Sequence, residues 1–229
     1  MRSRAAIAGV VAGVVISGAA RALTLAEISN QDATEGLKDA LIQSSGRAVS
    51  QLSATNGFLG NDRVRIPFPE SMKRVERALR LVGKGKQADE LITSMNRAAE
   101  MAVAEARPLL VSAVKSMTVR DAKGILTGGE DAATQYFRRR TSEPLAERFM
   151  PIVKRMTAKV ELAQQYNHLA GQAAQWGLVR KEDSDIDEYV TRKALDGLFL
   201  VIAEQERSIR RDPMGAATTV AKKVFSAVQ

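Results

Sequence analysis

Apolar residues recur along most of this chain at spacings of three and four, the period of an amphipathic helix. Leu37, Leu41, Ala48, Val49 and Leu52 fall on one such face, and Asp32 with Glu35 reads as the capping pair that opens it. Asn56-Gly57 ends the element. Residues 58–69 break the period. They hold Pro67, Pro69 and a short extended Val64-Arg65-Ile66, so irregular or strand-like structure is expected there. Pro69 suits the first turn of the next helix, with Met72, Val75, Leu79 and Val82 as its predicted buried face and Gly83 as its stop.

The longest periodic stretch covers residues 86–117. Ile92, Met95, Ala99, Ala102, Ala106, Leu109 and Ala113 alternate steps of three and four, a heptad-like stripe with three successive alanines. Pro108 is predicted to kink or divide it, since proline removes a backbone donor. Thr118 with Asp121 reads as a cap for a short helix to Leu126, and Gly128-Gly129 as its break. Glu130 and Asp131 open the next helix, acids at its positive end. Thr141 or Ser142 reads as the cap of a further helix with Pro144 in its first turn, and Pro151 as a bend. Helix is expected again over 159–176, then a polar connection over 177–184. The last long helix begins near Asp185, runs to about Arg211 and stops before Pro213. Residues 216–228 read as a short amphipathic helix with Val220, Val224 and Phe225 inward. The pattern predicts an all-α fold: a single compact multi-helix bundle of seven to nine helices with little or no β, spanning residues 23–229.

The first 22 residues are of another kind. Arg2 and Arg4 precede an apolar run from Ala5 to Ala20, and Ala20-Arg21-Ala22 follows. A basic start, a short Ala/Gly/Val-rich stretch and an Ala-x-Ala end read as a cleavable secretory signal, with the cut expected after Ala22. The run is too short and too weakly apolar for a spanning helix. The expected address is the periplasm, and with no Cys near the cut the protein is not expected to be a lipoprotein. The formal charge of +8 changes meaning accordingly, because Arg2, Arg4 and Arg21 leave with the signal. The remaining excess is a weaker argument for nucleic acid, which is not expected as a partner.

Chemistry is bounded mainly by exclusion. Zero Cys removes disulfides, thiolate nucleophiles and Cys-ligated metals. The single histidine, His168, lies in a polar helical neighbourhood and carries no spacing information. With one His and no Cys, no metal site is expected, and no motif implies a cofactor. Asp183, Asp185 and Asp187 alternate like the start of a calcium loop, but Glu188 stands where Gly is required and Ala194 where Glu is required. They read instead as acids at a helix start. Gly83-Lys84-Gly85-Lys86 and Gly128-Gly129 fit no phosphate-loop pattern. Arg138, Arg139 and Arg140 form the densest basic run, either a solvated helix face or a patch for an anionic envelope component.

Two places stand out as candidate binding positions. Ala194–Ala203 is apolar on all sides except Asp196, so it should lie mid-bundle. Asp196 then either points to the bundle edge or is buried and paired with Arg97, Lys193 or a helix-start N–H. Asn96 and Glu100, four apart, share a helix face, with Arg97 beside them. A pocket lined by Asn96, Arg97, Glu100, Tyr136 and Asp196 is the candidate ligand site; no residue is assigned as catalytic.

Several segments together carry a resemblance. They are Gly36-Leu-Lys-Asp-Ala-Leu41, Gly57-Phe-Leu-Gly-Asn61, Ile66-Pro67 with Pro69, Met95-Asn-Arg-Ala-Ala-Glu100, and Asp121-Ala with Ile125-Leu126. Further along come Gly128-Gly129, Ala132-Ala-Thr-Gln-Tyr-Phe137, Tyr189-Val-Thr, Lys193-Ala-Leu-Asp-Gly-Leu-Phe199, Ala203-Glu-Gln-Glu-Arg207 and Ile209-Arg210. The chain thereby resembles, over about residues 27–226, the bacterial exported family catalogued as domain of unknown function 4197. The resemblance implies the fold and the exported address; it implies no activity and no functional residue. The functional expectation is a non-catalytic envelope binding or interaction module for an apolar ligand, a lipid or a protein partner. The rival is a hydrolase-like enzyme working with carboxylates at Glu100, Asp121 or Asp196 and with Arg97 placing an anion. A third is an assembly role for the small-residue stripe over 92–113.

Overall fold

A computed structural model describes residues 30–177 and 183–212; the expected signal (1–22) and the expected final helix (216–228) lie outside them. Among the described residues there are eight α-helices, one 3-10 turn and no strand. The helices are α1 (Asn30–Ser53), α2 (Lys73–Leu81), α3 (Gly85–Ala104), α4 (Ala106–Lys115), α5 (Val119–Leu126), α6 (Ala132–Thr157), α7 (Glu161–Gln175) and α8 (Ile186–Arg211), with the 3-10 turn at Glu70–Met72. No helix among the described residues is long and apolar enough to cross a membrane.

Helix α3 lies in the middle. It packs against α1, α6 and α8, while α8 also runs against α6 and α1. The alanines explain how one helix takes three neighbours. Ala88, Ala98, Ala99 and Ala102 are fully buried, and side chains this small let other helix backbones come close. The small-residue stripe is therefore consumed inside the protein rather than offered to another copy. One contiguous core draws on α1 and on α3 through α8, with Phe58, Phe137, Phe149 and Phe199 as its largest fully buried side chains.

Several boundaries fall where the sequence places them. The predicted α1 face is buried throughout. Asn56 adopts a positive φ of 68° just beyond the helix end, a conformation Asn tolerates better than most residues. Thr118 and Asp121 form a complete capping box, a device worth about 1 kcal/mol. Asp185 caps α8 by accepting from the N–H groups of Asp187 and Glu188. Pro108 divides the long periodic stretch as predicted. The break is at Glu105, because the proline ring excludes the carbonyl four residues earlier from the helical ladder.

Other expectations are corrected. Helix α1 already includes Asp32, so that residue is not its cap. No helix starts at Thr141 or Ser142, because α6 runs unbroken through Pro144 and Pro151. Both hydroxyls bond back to carbonyls four residues earlier, Phe137 and Arg138, at 2.7 Å each. The carbonyls that the two prolines leave without a helical donor belong to Arg140 and Glu147, both exposed residues that water can serve. The largest correction concerns α2. Its amphipathic period predicts a buried face, yet none of its nine residues is buried. Val75 is 45% and Val82 69% exposed, and only Met72 before the helix and Leu79 within it reach the core. The tertiary structure supplies α3 as its neighbour and leaves the rest of the apolar stripe uncovered.

Residues 58–69 are irregular, as expected, and with 54–57, where α1 has already ended, they form a segment that is part of the core. Phe58, Val64, Ile66 and Phe68 are all buried. Gly197 on α8 makes room for it: a Cβ there would lie 2.7 Å from Phe58 Cε1 and 3.3 Å from Val64 Cβ. The Phe58 ring is fully buried and has nowhere to retreat. Gly197→Val is expected to destabilise the protein by about 3 kcal/mol through overpacking, despite its better helix propensity, and urea denaturation checks this.

Candidate functional site

Asn96 and Glu100 sit on the buried face of α3, and both hold segment 54–69. Asn96 treats Ile66 as a neighbouring strand would. The Ile66 N–H donates to Asn96 Oδ1 at 2.8 Å, and Asn96 Nδ2 donates to the Ile66 carbonyl at 2.9 Å. The same Nδ2 also donates to the Ile92 carbonyl at 2.8 Å, so the amide is engaged at both ends. One turn on, Glu100 Oε1 accepts from the N–H groups of Phe58 and Leu59, both at 3.1 Å. Arg97 closes the arrangement, donating to Glu100 Oε2 at 2.6 Å and to Asn56 Oδ1 at 2.9 Å.

The remaining candidate residues have other partners. Tyr136 is buried on α6 and donates its hydroxyl to the Ala113 carbonyl of α4 at 2.8 Å. Asp196 takes the first of its two expected options and points to the bundle edge. Its partner is Arg138, at 3.4 Å, and not Arg97 or Lys193. The structure thus brings Asn96, Arg97 and Glu100 together around one loop, and gives Tyr136 and Asp196 separate contacts. In the basic run, Arg138, Arg139 and Arg140 are all exposed. Arg138 also stacks over Phe199, 4.7 Å from the ring centre, and Arg140 over Tyr136 at 5.9 Å. The Thr118 backbone N–H, then its hydroxyl, hold the Asp121 carboxyl below its ordinary range, with Arg140 and Arg139 adding to this.

The same device recurs on α8, where sequence reasoning missed it. Glu206, buried, accepts from the N–H groups of Ala133 and Thr134 and from the Thr134 hydroxyl, all at 2.9 Å. It caps α6 in place of Asp131, which makes no side-chain cap. Arg210 pairs with Glu206 at 2.9 Å and donates to the Ile125 carbonyl at 2.8 Å. The readable signal was a carboxylate in register with Ile202 and Ile209 on an apolar stripe.

Of the other tyrosines, Tyr189 serves the same loop and Tyr166 the turn that follows it. Tyr189 donates to the Pro67 carbonyl at 3.2 Å, and burial pushes its phenol up to about 12. Tyr166 donates to the Asp183 carbonyl and lies 2.9 Å from the Ser71 hydroxyl; burial raises it as well. Neither phenol ionises near neutral pH, as donors to backbone carbonyls require. Asp183, Asp185 and Asp187 serve three different partners: Arg192, the α8 N-terminus and Thr157.

Residues 27–226 match the model of a family described as a protein of unknown function (DUF4197). The chain belongs to this family. No curated protein and no solved structure gives a significant match. In this DUF4197 protein, the Met95–Glu100 and Ala203–Arg210 motifs contain the polar residues that hold loop 54–69 and the start of α6.

Space for a ligand lies elsewhere. An open groove of about 550 Å³ runs between α3 and the α6–α7 turn. Met156 and Val160 give it an apolar wall. Lys86, Arg97 and Lys159 place three cations on its rim, opposed by Asp89 and Glu90. Arg97 is the predicted residue that reaches it. A second cavity, about 340 Å³, is lined by Lys154, Thr157, Asn167, Asp185 and Asp187 among others. Burial raises the Asp187 carboxyl, with the Thr157 hydroxyl opposing.

Asn96→Ala would leave the backbone N–H and C=O of Ile66 buried without partners, at about 3 kcal/mol. Asp196→Ala breaks only an exposed pair and should cost less than about 0.5 kcal/mol. Equilibrium unfolding of the two variants should separate them cleanly. For Asp187, the folded pKa exceeds the unfolded value of about 3.9. Its contribution to stability is therefore lost as pH rises from there through the raised value. Asp187→Asn should flatten that decline in denaturation midpoints measured across the same range.

Proposed function

We propose that the mature chain is a non-catalytic binding module of the cell envelope, carried to the periplasm by residues 1–22. Its ligand is an anionic amphiphile held in the groove between α3 and the α6–α7 turn. The observation that carries this reading is the groove itself. An apolar wall of Met156 and Val160 beside Lys86 and Lys159 suits an acyl chain with an anionic head, Arg97 on the same rim being already paired with Glu100. Asp89 on the rim is itself tied to Arg80 at 2.8 Å, which reduces its opposition to an anion.

The carboxylate-enzyme reading has less support. General acid–base work needs two such groups converging on one substrate. Glu100 has both oxygens engaged, by loop N–H groups and by Arg97. Asp121 is bound into the α5 cap, and Asp196 faces Arg138 at the surface. The three belong to three helices and have three separate structural partners.

Titration calorimetry with dihexanoyl phosphatidylglycerol, below its micelle concentration, tests the groove. Thr93→Trp fills it from an exposed position, and Lys159→Glu reverses one rim charge. Each is expected to weaken binding about tenfold, equivalent to about 1.4 kcal/mol. Unchanged binding in both variants, or none in the native protein, overturns the reading. Native mass spectrometry of the exported protein should show a chain beginning at Leu23.

A further inference from the structure

Helix α2 and the turn after it carry the chain's most unbalanced surface. Between residues 73 and 86 there are six cations (Lys73, Arg74, Arg77, Arg80, Lys84 and Lys86) and one acid, Glu76. Glu76 is neutralised by Arg80, and Lys73 pairs with Glu70. Among the described residues, no carboxylate lies within ion-pair distance of Arg74, Arg77, Lys84 or Lys86. The same segment exposes Leu81 to 86% and Val82 to 69%, with Val75 also open.

The helical period arranges these groups. Leu79 turns toward the core, while Val75, Ala78 and Val82, at steps of three and four, form an adjoining stripe that no described residue covers. Arg74 and Arg77, with exposed Leu81 between them on the helical wheel, border that stripe on its solvent side. An exposed apolar stripe flanked by unpaired cations is the pattern of a helix lying in a membrane interface. There the apolar groups enter the acyl boundary and the cations meet headgroup phosphates. A protein partner of opposite charge would explain the cations alone, whereas Leu81, Val82 and the stripe call for an apolar phase next to the anions. The run Arg138–Arg140 lacks this combination, since Arg138 is paired and stacked and Arg140 is stacked.

We infer that α2 and the α2–α3 turn dock this protein on an anionic phospholipid surface, with Leu81 and Val82 inserted and Arg74, Arg77, Lys84 and Lys86 on the phosphates. The inference rests on the envelope reading above and deepens it: the docked face adjoins the groove through Lys86 and through the Arg80–Asp89 pair that joins α2 to α3.

Co-sedimentation of the mature chain with vesicles tests it, comparing phosphatidylethanolamine–phosphatidylglycerol with phosphatidylethanolamine–phosphatidylcholine. The native chain should sediment with the anionic vesicles at low salt and not with the neutral ones. Arg74→Glu with Arg77→Glu should weaken that binding by at least about tenfold, at roughly fivefold for each cation lost. Leu81→Ser with Val82→Ser should make the remaining binding fully reversible by salt. All four positions are exposed, and a far-ultraviolet dichroism spectrum matching the native one verifies folding. Arg138→Glu with Arg139→Glu should bind vesicles as the native chain does. Equal binding by the Arg74/Arg77 variant, loss in the Arg138/Arg139 variant instead, or no sedimentation of the native chain each overturns the inference. Because calorimetry uses a monomeric lipid and groove variants, a chain that binds that lipid but ignores vesicles sinks this inference and leaves the groove reading standing.

Discussion

The bundle depends on bringing a long non-helical segment, residues 54–69, into the core without stranding its peptide groups. Buried N–H and C=O groups need partners, and helices cannot lend theirs. Asn96 and Glu100 supply them from α3, and Tyr189 adds one at the Pro67 carbonyl. With the backbone groups of Phe58, Leu59 and Ile66 paired, the loop inserts Phe58, Val64, Ile66 and Phe68 among the helices. Gly197 then sets how closely α8 approaches that loop.

Glu100–Arg97 and Glu206–Arg210 are variations on one solution. In each, a buried carboxylate on a long helix accepts N–H bonds from a distant stretch of chain, and an arginine within a turn balances its charge. A buried carboxylate without such partners would be very costly. With them it becomes a specific tie between elements far apart in sequence. Polar residues on apolar stripes are therefore accounted for here by folding, which leaves ligand contacts to open surface: the groove beside α3 and the exposed face of α2.

That shift also reorders the basic residues. The densest run, Arg138–Arg140, is partly spent on Asp196, Phe199 and Tyr136. The cations around α2 are spread over fourteen positions and interleaved with apolar residues, so they are less conspicuous in a linear reading. Four of them remain without an acidic partner among the described residues, beside hydrophobic side chains that the core did not take.

Much of the architecture was written locally. Periodicity, capping pairs and proline positions determined an all-α chain, the faces of α1 and α3, the division before Pro108 and the start of α8, because these depend on interactions within a few residues. The choice of Asn96, Arg97 and Glu100 as a connected polar group was legible for the same reason: they share one helix surface. Their task was not, because Ile66 and Phe58 are dozens of positions away and only folding brings them near. Proximity in space likewise decided that α6 passes through two prolines, that Glu206 caps it, that Asp196 meets Arg138, and that α2 keeps its apolar stripe in the open. Helical period shows which residues share a face; only the packing of the other helices determines whether that face is covered.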